Sequence, residues 1–315
     1  MEYITGYGFI QFVQSFSNSF FDIIFKYITI LGNEIFYLIL IPIIYLCIDK
    51  ITGLNLITFY LISSISNTYL KDIFHILRPS SEKVRVLIEE SSYAFPSNHS
   101  QGAVVFWGYL FSKAKKIWIK ILLLIIIFLI SLSRIYLGVH FLIDILGGWL
   151  IGFLILIVLL LIIKKYRVWE ILSKYDKRYI NNERFSNDKE YLSYKVYFYH
   201  NYLIPTLIII IPLILFFIYP TYSTGQILGV ISGIVFGAIL EGRYVKFNPK
   251  AKLYIQIMKI ILALAVAMII RIGLERILPP ADFSTYIRYF IMGFWLTFLM
   301  PLIIKKAGWQ ENKNS

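Results

Sequence analysis

Nine apolar runs punctuate the chain, near residues 34–48, 52–74, 99–112, 117–133, 140–163, 202–219, 226–241, 254–274 and 286–304. A hydrocarbon layer about 30 Å thick is crossed by about 20 apolar residues of helix, because every backbone polar group must be satisfied within the segment. The shorter runs at 34–48 and 99–112 borrow flanking residues or sit where the bilayer thins. Hydrophobic residues make up 58% of the 315, charged residues only 16%, and mean hydropathy is +0.72. Ordinary soluble domains are about 45–50% apolar and about 25% charged. The expected fold class is therefore all-α, a polytopic integral membrane bundle of nine or ten transmembrane helices. Disordered, collagen-like and disulfide-stapled folds are excluded.

Residues 8–31 are ambiguous. Gln11, Ser15, Asn18, Asp22 and Lys26 form a polar stripe on a Phe/Ile-rich segment, with Asp22 and Lys26 spaced to pair. The segment reads as a spanning helix with its stripe inward, in preference to an interfacial one. No short apolar region ends in a small-residue cleavage site, so no removable signal peptide is expected. The single cysteine, Cys47, permits no intrachain disulfide.

The net charge of +13 suits cytoplasmic loops of a membrane protein better than a nucleic-acid partner. Lys113, Lys115, Lys116 and Lys120 fill one loop without an acid. The 164–200 stretch has nine basic against five acidic residues, Arg243, Lys246, Lys250 and Lys252 oppose Glu241, and Lys305, Lys306 and Lys313 lie in the tail. If each run crosses once, these fall on one side, the cytoplasm. The expected division is a membrane core over 1–163, a polar cytoplasmic loop over 164–200 and a four-helix extension over 201–315. A multi-pass protein of the cell (plasma or inner) membrane is expected.

Three segments on the opposite face hold the chemistry: Lys71 to Arg78-Pro79, Pro96-Ser97-Asn98-His99, and Ser133-Arg134 followed by His140 and Asp144. Three cations at the end of an apolar bundle call for an anion among them. Arg78 and Arg134 offer planar forks suited to phosphate oxygens, and Lys71 a point charge. Ser97 stands where a helix should begin, so the N–H groups of Ser97, Asn98 and His99 would face an anion. His140 and Asp144, spaced i, i+4, suggest a nucleophile and its orienter; His99 is available as general acid. These residues predict phosphoester or phosphoanhydride hydrolysis through a phosphohistidine.

The pattern Lys-x6-Arg-Pro, Pro-Ser-x-His, Ser-Arg-x5-His-x3-Asp resembles the signature of the type 2 phosphatidic acid phosphatase superfamily, the membrane lipid phosphate phosphatases. The resemblance covers roughly residues 30–163 and implies a six-helix phosphatase core. It implies that Lys71, Arg78 and Arg134, with Ser97 and the backbone at Asn98, bind phosphate. It further implies that His140 is the nucleophile, Asp144 its orienter and His99 the general acid. The commonest second motif has Gly at the position of Asn98, and Asn tolerates unusual backbone angles better than most residues.

The expected substrate is a lipid phosphate or an isoprenoid diphosphate such as undecaprenyl diphosphate, handled without metal or cofactor. Transfer of the phosphoryl group to a lipid or glycan hydroxyl is the enzymatic alternative. A lipid transporter or flippase, and a non-catalytic scaffold, are the alternatives of other classes. Glu82, Lys83, Arg85, Glu89 and Glu90 read as a solvated outer loop. Arg271, Glu275, Arg276 and Arg288 read as a supporting ion-pair cluster, and His75 and His200 as structural.

Overall fold

A computed structural model describes residues 6–166 and 204–311. Most of the polar 164–200 stretch, including His200, the start of the 202–219 run and Lys313 lie outside the described residues. All described residues in regular structure are helical. In chain order the helices are α1 Gly8–Gln14, α2 Ser19–Ile30, α3 Glu34–Ile43, α4 Lys50–Phe74, α5 Asn98–Lys113, α6 Ile117–Tyr136 and α7 Leu142–Tyr166. The rest are α8 Ile204–Ile218, α9 Tyr222–Leu240, α10 Leu253–Ile277, α11 Asp282–Phe294 and α12 Met300–Lys306. Single π-helical turns extend α3 through Ile48 and α9 through Val245, and join α11 to α12.

Each apolar run is helical over nearly all of its described residues, the 140–163 run becoming helical at Leu142 and the 202–219 run ending its helix at Ile218. Five helices among them are long and apolar enough to cross a bilayer alone: 117–136, 142–165, 222–245, 253–277 and 282–306. A sixth arises if α2 and the α3 segment, bent by 51°, are one span. Two other runs, α4 and α5, carry polar groups that satisfy one another inside the protein. Asn67 Nδ2 donates to Gln101 Oε1 at 2.9 Å and to Pro96 O at 3.1 Å, and Gln101 Nε2 donates to Ser63 O at 2.8 Å.

Residues 8–31 do not form the single expected helix. The break at 15–18 leaves α1 and α2 each too short to span, and Asn18 caps α2 by accepting from Phe21 N at 3.0 Å. The polar stripe does not face inward as expected: Gln11, Ser15, Asn18 and Lys26 are exposed, and only Asp22 is half-buried, pairing with Arg85 at 2.8 Å and accepting from Tyr136 Oη at 2.7 Å. Gln14 bonds the backbone of Arg85 and Tyr136. These bonds pin the loop after α6, where Gly138 adopts φ +76°; a Cβ there would strike the Arg85 backbone.

The described chain forms two compact units. The first comprises residues up to Ile41 together with Asn55–Leu161; the second comprises Pro42–Leu54 and everything from Ile162 onward. The segment 42–54 thus departs from the expected division at residue 163. Tyr45 Oη donates to Thr297 O at 3.1 Å, its ring packs on Phe247, and Lys50 pairs with the buried Glu241 at 3.1 Å. Glu241, counted above against the basic residues of its loop, is an internal counter-ion to Lys50.

Within the second unit α9 and α11 meet through glycine. Gly225, Gly229 and Gly233 are four residues apart and share one face. A Cβ on Gly229 or Gly233 would be driven into the carbonyls of Tyr286 or Phe290, and one on Gly293 would lie 2.8 Å from Val230 O. Backbones this close leave no room for relaxation. Gly229→Leu is expected to destabilise this unit by more than about 2 kcal/mol, read as a lowered midpoint of thermal unfolding in detergent.

Candidate active site

The three motif segments converge at one end of the first unit. Lys71 stands in the last turn of α4, Arg134 in the last turn of α6, and Asp144 in the first turn of α7. Arg78 and His140 sit on the loops that follow α4 and α6, and His99 in the first turn of α5. Gly148 and Gly152 of α7 let that helix lie against α5: a Cβ at Gly148 would sit 2.8 Å from Ser97 O, and one at Gly152 2.8 Å from Gln101 O. Glycine at these positions allows Asp144 to approach the start of α5, where Ser97 N donates to Asp144 O at 3.0 Å.

His140 is buried, at 1% exposure, and lies two residues before α7 rather than inside it. Its Nδ1 is 3.3 Å from Asp144 Oδ2, which also accepts from Phe141 N at 2.8 Å. A carboxylate at Nδ1 places the proton there and leaves the lone pair on Nε2. Burial holds the imidazole well below its ordinary pKa, with Arg134, Arg78 and Lys71 adding to the effect, so Nε2 is unprotonated. Arg78 Nη1 stands 3.2 Å from that Nε2 and donates to Val139 O at 2.8 Å. The potential attacking atom therefore touches a group suited to hold the phosphate it would attack.

Arg134, 1% exposed, donates through Nη1 to Thr29 Oγ1 at 2.9 Å, and the same nitrogen lies 3.5 Å from His99 Nε2. Lys71 Nζ donates to Ser92 Oγ at 2.9 Å and to Tyr93 O. Arg78 Nε donates to Ser92 O at 2.6 Å. The structure brings together every residue singled out from the sequence for catalysis or phosphate binding, with three differences in detail. Ser97 precedes α5 as its cap residue, but its side chain caps no backbone N–H and accepts instead from Ser100 Oγ at 3.3 Å. Its own N–H is spent on Asp144, so of the expected donors only Asn98 and His99 keep first-turn N–H groups without an intrahelical partner. Asn98 begins α5 without left-handed backbone, the left-handed non-glycine residues among those described being His75 and Lys246.

Sequence reasoning missed Glu90. It is not a solvated loop residue: one carboxylate oxygen bonds Arg134 Nη2 and the other lies 3.6 Å from Arg78 Nη2. The signal was the demand of three clustered cations for an anion, which the chain itself meets. Beside Glu90 opens a cavity of about 620 Å³ lined by Arg78, Val86, Ile88, Glu89 and Val139 among others, part apolar and part polar. Among the described residues no group of three or more His, Cys, Asp or Glu side chains could hold a metal ion. In the second unit Glu275 pairs with Arg288 at 3.2 Å, an ion pair within the cluster expected there.

Residues 52–167 match the family described as "PAP2 superfamily", and residues 225–312 match "PAP2 superfamily phosphatase, transmembrane extension". The second match accounts for helices that the motif resemblance does not reach. Over 167 residues the chain is 29% identical to sphingosine-1-phosphate phosphatase 2 of Homo sapiens, covering 50% of this chain and 40% of that protein. It is 34% identical over 113 residues to phosphatidylglycerophosphatase B of Bacillus subtilis (strain 168), covering 33% of this chain and 54% of that one. The chain thus spans about half or less of these curated relatives. The crystal structure of Aquifex aeolicus LpxE aligns with TM-score 0.45 and 28% identity, over 49% of this chain and 93% of that one. With one match lying across all three motif segments and the other across the C-terminal helices, this chain carries a PAP2 superfamily domain followed by a PAP2 transmembrane extension.

Proposed function

We propose that the chain is a membrane lipid phosphate phosphatase that works through a phosphohistidine on His140. The observation that carries this reading is the contact between His140 Nε2 and Arg78 at 3.2 Å, with Asp144 behind the ring. In the first step Nε2 attacks phosphorus, the P–N bond forms and the P–O bond to the lipid breaks. His99 gives its proton to the departing alkoxide. In the second step water attacks the phosphohistidine, His99 takes a proton from that water, and inorganic phosphate leaves with His140 restored. Lys71, Arg78 and Arg134, with the first N–H groups of α5, hold the equatorial oxygens whose charge grows in the transition state.

The substrate class is a lipid phosphomonoester. Two curated relatives are a sphingosine-1-phosphate phosphatase and a phosphatidylglycerophosphatase, and the mixed walls of the 620 Å³ cavity suit a polar group with a chain attached. The distribution of basic residues along the chain supports a site on the non-cytoplasmic face of the cell membrane. The test is phosphate release by the purified chain in detergent with excess EDTA. The panel is phosphatidic acid, phosphatidylglycerophosphate, sphingosine-1-phosphate and undecaprenyl diphosphate, each also offered with a lipid or glycan alcohol. EDTA-resistant release from a monoester is the expected result. Preference for undecaprenyl diphosphate would move the substrate to the diphosphates, and phosphate appearing only on the added alcohol would make the chain a phosphotransferase.

A further inference from the structure

The loop between α4 and α5 engages all three cations of the site at once. Ser92 Oγ accepts from Lys71 at 2.9 Å and from Arg78 Nη2 at 3.2 Å, Ser92 O accepts from Arg78 Nε, and Tyr93 O accepts from Lys71. Glu90 completes the set, one carboxylate oxygen toward each arginine. Two oxygens of one anion bridging two guanidiniums is also how a phosphate group would sit between them. The same N–H donors cannot serve Glu90 and a phosphate together. Glu90 is 26% exposed on its side chain and lines the 620 Å³ cavity, so it has space to move into.

We propose that Glu90 is a resident anion, an intramolecular competitor for the phosphate seat that substrate must displace, and thereby the residue that sets the affinity of the site. The proposal rests on the phosphate-binding reading given above. The exchange is favourable for a phosphomonoester, because one carboxylate charge leaves three cations and a dianion replaces it. The competitor weakens every anion by the same factor. Weakly held anions, such as phosphodiester head groups, then fall out of their working range while a tightly held monoester still binds. Between turnovers it also offsets part of the positive charge that Arg78 and Arg134 bring to the bundle end.

The experiment measures inorganic phosphate binding to the purified full chain by titration calorimetry, and product inhibition by phosphate in the lipid assay. Glu90→Gln is expected to bind phosphate about tenfold more tightly than the wild type, with the inhibition constant falling by the same factor. Equal or weaker binding would overturn the proposal and make Glu90 a structural counter-ion of Arg134. If Glu90→Gln does not fold, Glu90→Asp serves, since its shorter side chain cannot reach both guanidiniums; a smaller tightening is expected. Failure of both variants to fold would equally overturn it. If no protein, wild type or variant, binds phosphate or hydrolyses any lipid phosphate, the phosphate-site reading falls and takes the proposal with it. Hydrolysis with no effect of Glu90→Gln removes the proposal alone.

Discussion

His140→Ala is expected to lower lipid phosphate hydrolysis by about 10³–10⁶-fold, because it removes the atom that forms the covalent intermediate in the proposed mechanism. The loss should appear in kcat. Arg78 keeps its bonds to Val139 O and Ser92 O, and Asp144 keeps its bond from Phe141 N, so the site's frame survives the truncation. Phosphate release and thermal unfolding, measured on the same preparation, check both halves of the expectation. Full activity in a folded His140→Ala protein would remove His140 from the chemistry.

Asp144→Asn is the more discriminating change. The amide oxygen can still accept from Phe141 N, so the start of α7 is preserved. The same oxygen stays within reach of Nδ1–H, so the tautomer is kept; what the change removes is the negative charge behind the ring, which leaves Nε2 a weaker nucleophile. A fall in kcat of about 10²–10⁴-fold is expected, with KM changed little because the cations are untouched. A variant that loses KM alone would show that Asp144 shapes the phosphate seat rather than the imidazole.

The site was legible in the sequence because its chemistry demands particular residue types at fixed separations. Lys71, Arg78, His99, Arg134, His140 and Asp144 can be read as a set before any helix is placed. The helices were legible because their apolar runs are long and are set apart by polar or basic segments. What the sequence concealed were contacts that join distant polar residues one to one. Asp22 has Lys26 one helical turn away and yet pairs with Arg85 and Tyr136, since the break at 15–18 turns α2 toward the loop between α4 and α5. Glu90 looks like its neighbours Glu82 and Glu89 in a charged loop. Only the position of Arg134, beneath that loop, separates them. Tyr45 and Lys50 sit in an ordinary apolar hairpin, and no local pattern announces that their partners are Thr297 and Glu241.

That last pairing bears on how this chain is put together in time. Residues 42–54 are made early, yet Glu241, Phe247 and Thr297 emerge about two hundred residues later. Until then Lys50 and the Tyr45 hydroxyl have no internal partners. The first unit is therefore stitched from two stretches separated by a hairpin that belongs to the later-made unit. A chain cut in the polar loop would strand that hairpin with its buried face bare. The C-terminal unit is in this sense completed by residues 42–54, which are made long before the helices they pack against.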